Sequence, residues 1–403
     1  MVLFGSAVFA FPNGMSETSL AVWIFIWGLL HMFPQTVYNL SLGGLITESV
    51  RDYHERVRLG SYLTFFGLLL GLTNQWIYPI VKNTIHPLII HCSGMEFVLL
   101  KFPVFSDPIT GARWIVFCFA LFGLVCSQCP ALLCKETRYA QIKKSQPKGK
   151  LIPSLKEAIK NRQFLIILSI KFFTFFCYSI VSALGVYMNT YFVFGGDKAK
   201  GAVVYGALGS SYIISASLSL FLYRWLEPKL GKIRVLQIAA GVLMVGCVCK
   251  LFVYQPTMPW LQLIVLISNG ASVTGLHLMT GSMFGDIIDY DELLHDKRRE
   301  ALFGSIFSWA ETKGTALGSL FSGFMLVWIG FNAKLVGPQS WMTLHLMQFF
   351  YFFFPFCGAL FAFVMVKRYE LTENRMYEIR DELNRRHAER KLAEDAQAAA
   401  LES

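Results

Sequence analysis

The residues of this chain whose types allow chemistry are few, and the informative ones lie inside apolar runs. Lys313 stands eleven residues into one such run, about 17 Å deep at 1.5 Å per helical residue. An ammonium at that depth in hydrocarbon costs several kcal/mol unless it faces a cavity or a partner. Ser305, Ser308, Trp309, Thr312, Lys313 and Ala316 recur at spacings of three and four, which places them on one helical face. That face is polar and small with one aromatic platform, as a solute cavity requires. Glu311 lies about 200° round the helix from Lys313, so the two do not pair. Its options are Lys171 or His277 on a neighbouring helix, or a proton-carrying role of its own.

A second polar face follows Pro34, where Gln35, Tyr38 and Asn39 are spaced to hydrogen-bond hydroxyls from one side of a helix. Lys171 sits about 10 Å into its run and is expected to snorkel toward the surface. His31 and His277 are read as neutral imidazoles satisfied by a hydrogen bond. The acids Asp286, Asp289, Asp291 and Glu292 precede Lys297, Arg298, Arg299 and Glu300 at the end of a run. This pattern reads as an ionic latch between helix ends, with Asp286, Asp289, Arg298 and Arg299 as its gate residues, rather than as a metal site. Gly231-Lys232, with Glu227 and Arg234, forms a further short gate-like turn. Eight of the nine cysteines lie in or beside apolar runs and only Cys92 sits in a polar connection, so they are expected to be buried small hydrophobes.

The elements that position these residues are long helices. Nine apolar stretches occupy residues 20–46, 60–82, 112–134, 164–193, 203–225, 235–254, 259–284, 302–331 and 342–366, each long enough to cross about 30 Å of hydrocarbon. Of the 403 residues, 55% are hydrophobic and only 15% charged, against about 25% in soluble domains. A soluble protein is excluded, and an all-α integral membrane protein is expected. The net charge of +10 is a matter of topology: 26 Lys and Arg fall in the loops and tail of one side against four in the loops of the other. The positive-inside rule puts that side, and the tail, in the cytoplasm. This distribution argues against nucleic acid as a partner.

Several segments are similar to the glycoside-pentoside-hexuronide:cation symporter family. They are Asp52-Tyr53-His54-Glu55-Arg56, with Val57 in place of a threonine; Asn161-Arg162-Gln163-Phe164; Gly285-Asp286-Ile287-Ile288-Asp289-Tyr290-Asp291-Glu292-Leu293 with Arg298-Arg299-Glu300 and Lys313-Gly314; and Tyr369-Glu370-Leu371-Thr372-Glu373 leading to Ile379-Arg380-Asp381-Glu382-Leu383. The resemblance implies a major facilitator-type bundle of two six-helix halves joined by a long loop, with a midplane solute site. It implies that Lys313 links cation and sugar binding. Gln35 stands where the resemblance would place a sugar-binding aspartate, and Thr64 where it would place an arginine. These departures put the substrate in doubt and leave the fold untouched.

On this reading residues 1–134 form an incomplete first half-bundle, 135–163 the inter-half loop, 164–366 a six-helix bundle and 367–403 a cytoplasmic tail. The chain is expected to begin inside the family's third helix, without the helix whose aspartates hold the coupling cation. The tail is expected to carry a short amphipathic helix with Met376, Ile379 and Leu383 on one face, fraying from Ala396. The expected activity is cation-coupled symport of a sugar, glycoside or related small polar solute across the cell membrane. Gln35, Tyr38, Asn39, Thr64, Ser308, Trp309 and Lys313 are the substrate candidates, and Lys313 and Glu311 the coupling pair. The alternative is a transport-deficient protein that keeps only the fold. Sodium or a proton is the expected coupling ion, with no other cofactor, no metal centre, no enzymatic activity and no obligate protein partner beyond the solute and the bilayer.

Overall fold

The computed structural model describes residues 2–12, 14–49, 66–73, 75–77, 88–92, 95–100, 108–133, 158, 160–295, 299–332 and 339–402. The chain divides into two units, Met1–Lys148 and Gly149–Ser403. The expected span 60–82 is helical over 66–73 and 75–77, and most of the remainder lies outside the described residues.

In the first unit, α1 (Val2–Phe9) packs on α2 (Glu17–Ser49) and α3 (Pro108–Leu133). The Trp23 indole N–H donates to the Ala7 carbonyl at 3.0 Å. Arg113 donates from Nε to the Phe9 carbonyl at 3.1 Å and from Nη2 to the Phe11 carbonyl. A cation thereby satisfies carbonyls at and just beyond the end of α1, where the helix dipole favours it. Phe25, Phe33, Trp114, Phe117, Phe122 and Val125 stand exposed on α2 and α3, which is the surface expected of lipid-facing helices. One short antiparallel hairpin, β1 (Leu88–Cys92) with β2 (Met95–Leu100), lies in a connection that the apolar pattern leaves as loop.

The second unit holds the better part of the bundle. α4 (Arg162–Tyr187) starts where Asn161 accepts hydrogen bonds from the Gln163 and Phe164 amides at 3.1 and 3.2 Å, a side-chain N-cap. The helix passes into a π turn over Met188–Val193. α5 (Lys198–Val253) is broken at Gly231, whose φ of 74° and ψ of 157° are outside helical space and suit a residue without Cβ. Its 56 residues are therefore two crossings joined by a tight turn rather than one helix. α6 (Gln262–His295), α7 (Glu300–Trp328) and α8 (Trp341–Met365) follow, and α9 (Glu373–Glu402) is the tail helix.

Among the described residues six stretches are long and apolar enough to cross a membrane, one of them the double-length α5. α7, at 29 residues, is long enough as well but carries the polar stripe. The α4–α7 seam is tight because Gly314 and Gly318 face α4. A Cβ on Gly314 would stand 2.7 Å from the Phe172 carbonyl, and one on Gly318 would meet the Phe176 carbonyl. Ser179 Oγ closes the seam on Ser319 Oγ and the Thr315 carbonyl, each at 2.8 Å, as small residues do in membrane helix pairs.

The core has two parts. One, toward the tail, gathers Phe164, Ile167, Leu236, Met283, Ile287 and Phe303 with Met376, Ile379 and Leu383 of α9. The other, at the far end, gathers Ile180, Leu184, Met188, Tyr254, Met347 and Tyr351. The tail helix extends to Glu402 rather than fraying from Ala396, because a run rich in alanine and glutamate has strong intrinsic helix propensity.

Candidate functional site

On α7 two faces separate cleanly. Phe303, Phe307, Ala310, Gly314 and Gly318 are buried, and Ser305, Ser308, Trp309, Thr312, Lys313 and Ala316 are exposed within their unit. Trp309 is 59% exposed. The Thr312 hydroxyl is spent on the Ser308 carbonyl at 2.9 Å. The stripe is thus one continuous surface about three turns long, with Lys313 exposed in its middle.

Glu311 sits at the border of the two faces and turns away from Lys313. Its Oε2 lies 2.7 Å from Lys171 Nζ on α4, and its Oε1 lies 3.8 Å from His277 Nδ1 on α6. Lys171 is only 5% exposed, which overturns the expectation that it snorkels. The reason is local: a carboxylate reaches it from α7, and its ammonium stands 3.9 Å above the centre of the Phe307 ring and 5.9 Å from that of Phe175. An ammonium with a counter-charge and aromatic faces has less to gain by climbing to water. Phe175 also meets the His277 ring edge-on at 6.0 Å. The group is therefore one carboxylate shared by two bases from two other helices.

The acidic end of α6 is paired with Arg299, with the tail helix and with the Gly231 turn. Asp286, 2% exposed, receives Lys232 Nζ at 2.6 Å and Arg380 Nη2 at 3.2 Å. Asp289 meets the same Arg380 at 3.5 Å. Arg299 binds Asp291 instead, with both oxygens engaged at 3.0 and 2.7 Å. Asp286 and Asp289 thus both reach the tail helix and Asp286 also the Gly231 turn, while α6 continues helically to His295 and carries Asp291 round to face Arg299. Arg298 lies outside the described residues.

The tail is fixed further by Tyr369, whose hydroxyl donates to the Met283 carbonyl at 3.2 Å and whose burial pushes its ionisation well up. Arg386 donates to the Leu293 carbonyl at 3.1 Å. Glu382, partly exposed beside Arg386 and Arg385, has its carboxyl held below the usual range, chiefly by the hydrogen bond from Arg386.

In the first unit Gln35 and Tyr38 are half-buried on α2. The Asn39 side chain and all of Thr64 lie outside the described residues. Among the described residues no group of three or more His, Cys, Asp and Glu is arranged to hold a metal ion. The described cysteines are unpaired, with Cys177 and Cys247 buried and Cys118, Cys126 and Cys129 exposed on α3. The exposure of the latter three fits lipid contact rather than the burial expected from their apolar surroundings.

Sequence reasoning did not assign Lys232 and Arg380 to Asp286. The Gly231-Lys232 turn and the Ile379-Arg380-Asp381 motif were visible, but nothing in one sequence links positions 94 residues apart.

A set of membrane-length helices, with an ionisable cluster on the α4–α6–α7 contacts and others at helix ends, defines a polytopic membrane protein. Residues 1–373 match the family described as MFS/sugar transport protein, and the chain belongs to that family. It is 25% identical over 341 residues to the uncharacterized symporter sll1374 of Synechocystis sp., covering 82% of this chain and 60% of the relative. It is 24% identical over 387 residues to the uncharacterized symporter YjmB of Bacillus subtilis, covering 94% and 76%. It is 27% identical over 302 residues to the uncharacterized symporter YnaJ of the same organism, covering 74% and 59%. The matched region thus spans about three-fifths of the length of two of these relatives.

Proposed function

We propose that this protein is a cation-coupled secondary transporter of a sugar, glycoside or related small polar solute in the cell membrane, with its tail in the cytoplasm. The observation that carries the reading is the exposed stripe of α7, where Trp309 offers an apolar platform, Ser305 and Ser308 offer hydroxyls and Lys313 offers an ammonium on one face. Sugars are bound by such a mixture, an aromatic surface for the ring and donors and acceptors for the hydroxyls. In the first unit Gln35 and Tyr38, with Asn39 and Thr64 by sequence, carry groups of the same kinds, amide, phenol and hydroxyl. Membership of a sugar-transport family and the symporter names of the relatives support the same reading. The excess of Lys and Arg on the tail side supports the orientation.

The test is uptake of radiolabelled hexoses, disaccharides and glycosides into proteoliposomes holding the full chain, with an imposed sodium or pH gradient. Accumulation of one solute class is expected, with Trp309→Ala and Lys313→Ala each lowering the rate at least about tenfold, the loss of one good interaction of about 1.4 kcal/mol. No accumulation of any solute under either gradient overturns the reading in favour of a protein that keeps the fold without transport.

A further inference from the structure

The most unusual group in the second unit is the carboxylate of Glu311 shared between Lys171 and His277. Glu311 and Lys171 belong to helices that are fastened together: Gly314 and Gly318 bring α7 onto the α4 backbone, and Ser179 bonds across the seam. His277 belongs to α6, and at this level α6 reaches the carboxylate through its imidazole. The three groups differ sharply in access. The Lys171 side chain is 5% exposed, that of Glu311 31% and that of His277 56%. An ion arriving from the exposed side meets the imidazole first, then the carboxylate, with the lysine closing the back.

The chemistry of this nest selects among cations. A sodium ion needs several oxygens around it, and hard cations in proteins are held by carboxylates and carbonyls together. Here the described partners of the carboxylate are an ammonium and an imidazole, one a cation and the other a base, and those two are flanked in turn by the rings of Phe175 and Phe307. Among these described partners the cation that fits is the proton, which needs a single lone pair and can be handed from imidazole to carboxylate over a short path. The charged groups facing Glu311 are Lys171 from α4 and His277 from α6; Lys313, on its own helix, points to the exposed face.

We propose that Glu311 is a proton-binding site, loaded through His277, and that loading it loosens the hold on Lys171. The step is a simple transfer: an imidazolium N–H gives its proton to a Glu311 oxygen, the imidazole returns to neutral, and the carboxyl that forms carries no charge. Lys171 then keeps only a neutral carboxyl and the faces of Phe307 and Phe175, and the charge attraction between α4 and α7 is gone. The role of this site in driving solute uphill rests on the transport reading above; its proton chemistry does not.

Two measurements separate these. Infrared difference spectra of the full chain in lipid vesicles, stepped in pH, are expected to show a carboxyl C=O signal that is absent in Glu311→Gln. The double variant Lys171→Met/Glu311→Gln, which removes both charges together, is expected to lack it too and keeps the test readable if the single variant does not fold. In proteoliposomes, addition of the transported sugar is expected to draw protons inward with wild type and not with Glu311→Gln. A pH-dependent carboxyl signal that survives in both variants overturns the proposal, as does sugar accumulation driven by sodium and indifferent to a pH gradient. If no sugar moves with any chain, the transport reading falls, while the infrared signal still decides whether Glu311 binds the proton.

Discussion

Asp286 allows the sharpest test of the fold at the tail end. Its side chain is 3% exposed and holds two cations, Lys232 at 24% and Arg380 at 47% exposure. Replacing Lys232 by Met leaves Asp286 still paired with Arg380, and a cost of about 1 kcal/mol is expected, that of one charge-assisted hydrogen bond in partial solvent. Replacing Arg380 by Met removes a half-exposed partner whose attraction water already screens, for about 0.5 kcal/mol. Replacing both strands a buried carboxylate, and the cost is then about 3 kcal/mol, the low end for breaking a buried pair. The double variant is therefore worse than the two singles together by about 1.5 kcal/mol, inside the range of energies found between coupled residues. At about 2–4 °C per kcal/mol for a unit of this size, the double variant melts about 6–12 °C below wild type. Adding Asp286→Asn to it recovers part of the loss, since the charge that cannot be solvated is gone. Thermal unfolding in detergent, with tryptic cleavage at Arg385 and Arg386 to report undocking of α9, reads all four chains. Strict additivity, or no recovery in the triple variant, refutes the account of Asp286 as a buried hub.

Gly318→Leu drives a branched side chain into the Phe176 carbonyl across the α4–α7 seam, and loss of the folded monodisperse peak on size exclusion is expected, with Gly323→Leu, which has open space, behaving as wild type. Tyr369→Phe removes one buried hydrogen bond to the Met283 carbonyl and lowers stability by about 1 kcal/mol in denaturant titration. Glu382 has its carboxyl held down by Arg386 and Arg385, so its contribution is present at neutral pH and disappears as pH falls through that lowered value. Glu382→Gln is accordingly expected to speed hydrogen exchange in α9 at neutral pH and to match wild type at a pH of about 2.

Much of the architecture was legible because lipid leaves helices little choice: apolar runs of the right length had to become spans, and α4 through α8 lie where those runs lie. Asn161 was readable as a motif before it was seen to be an N-cap. The polar stripe of α7 followed from spacing alone, as did the divergence of Glu311 from Lys313. Lys171 was not legible, because its depth is a property of its own helix while its partner belongs to another. The same reason hid the pairing of Asp286 with Lys232 and Arg380. The hairpin at Leu88–Leu100 gave no periodic signal distinguishing it from a loop.

Three ionisable groups of the second unit, Lys250, Asp286 and Glu311, are satisfied in three different ways, and the differences bear on function. Lys250, 1% exposed, donates to the Tyr351 carbonyl at 3.3 Å and lies 4.3 Å from the centre of that ring, while Tyr254 and Tyr351 bond each other at 2.9 Å. Its partners are a backbone oxygen and an aromatic face, neither of which can change charge, so this site is structural. Asp286 is held by two cations that reach water, and it can lose one and remain paired. Glu311 differs from both. It is partly exposed, one of its partners is an imidazole, a group able to carry or release a proton, and the other is closed off from solvent. Neutralising it changes the balance between two helices and a third without stranding a fully enclosed carboxylate. Of the three, it is the one whose partners come from two other helices and differ both in exposure and in their capacity to change charge.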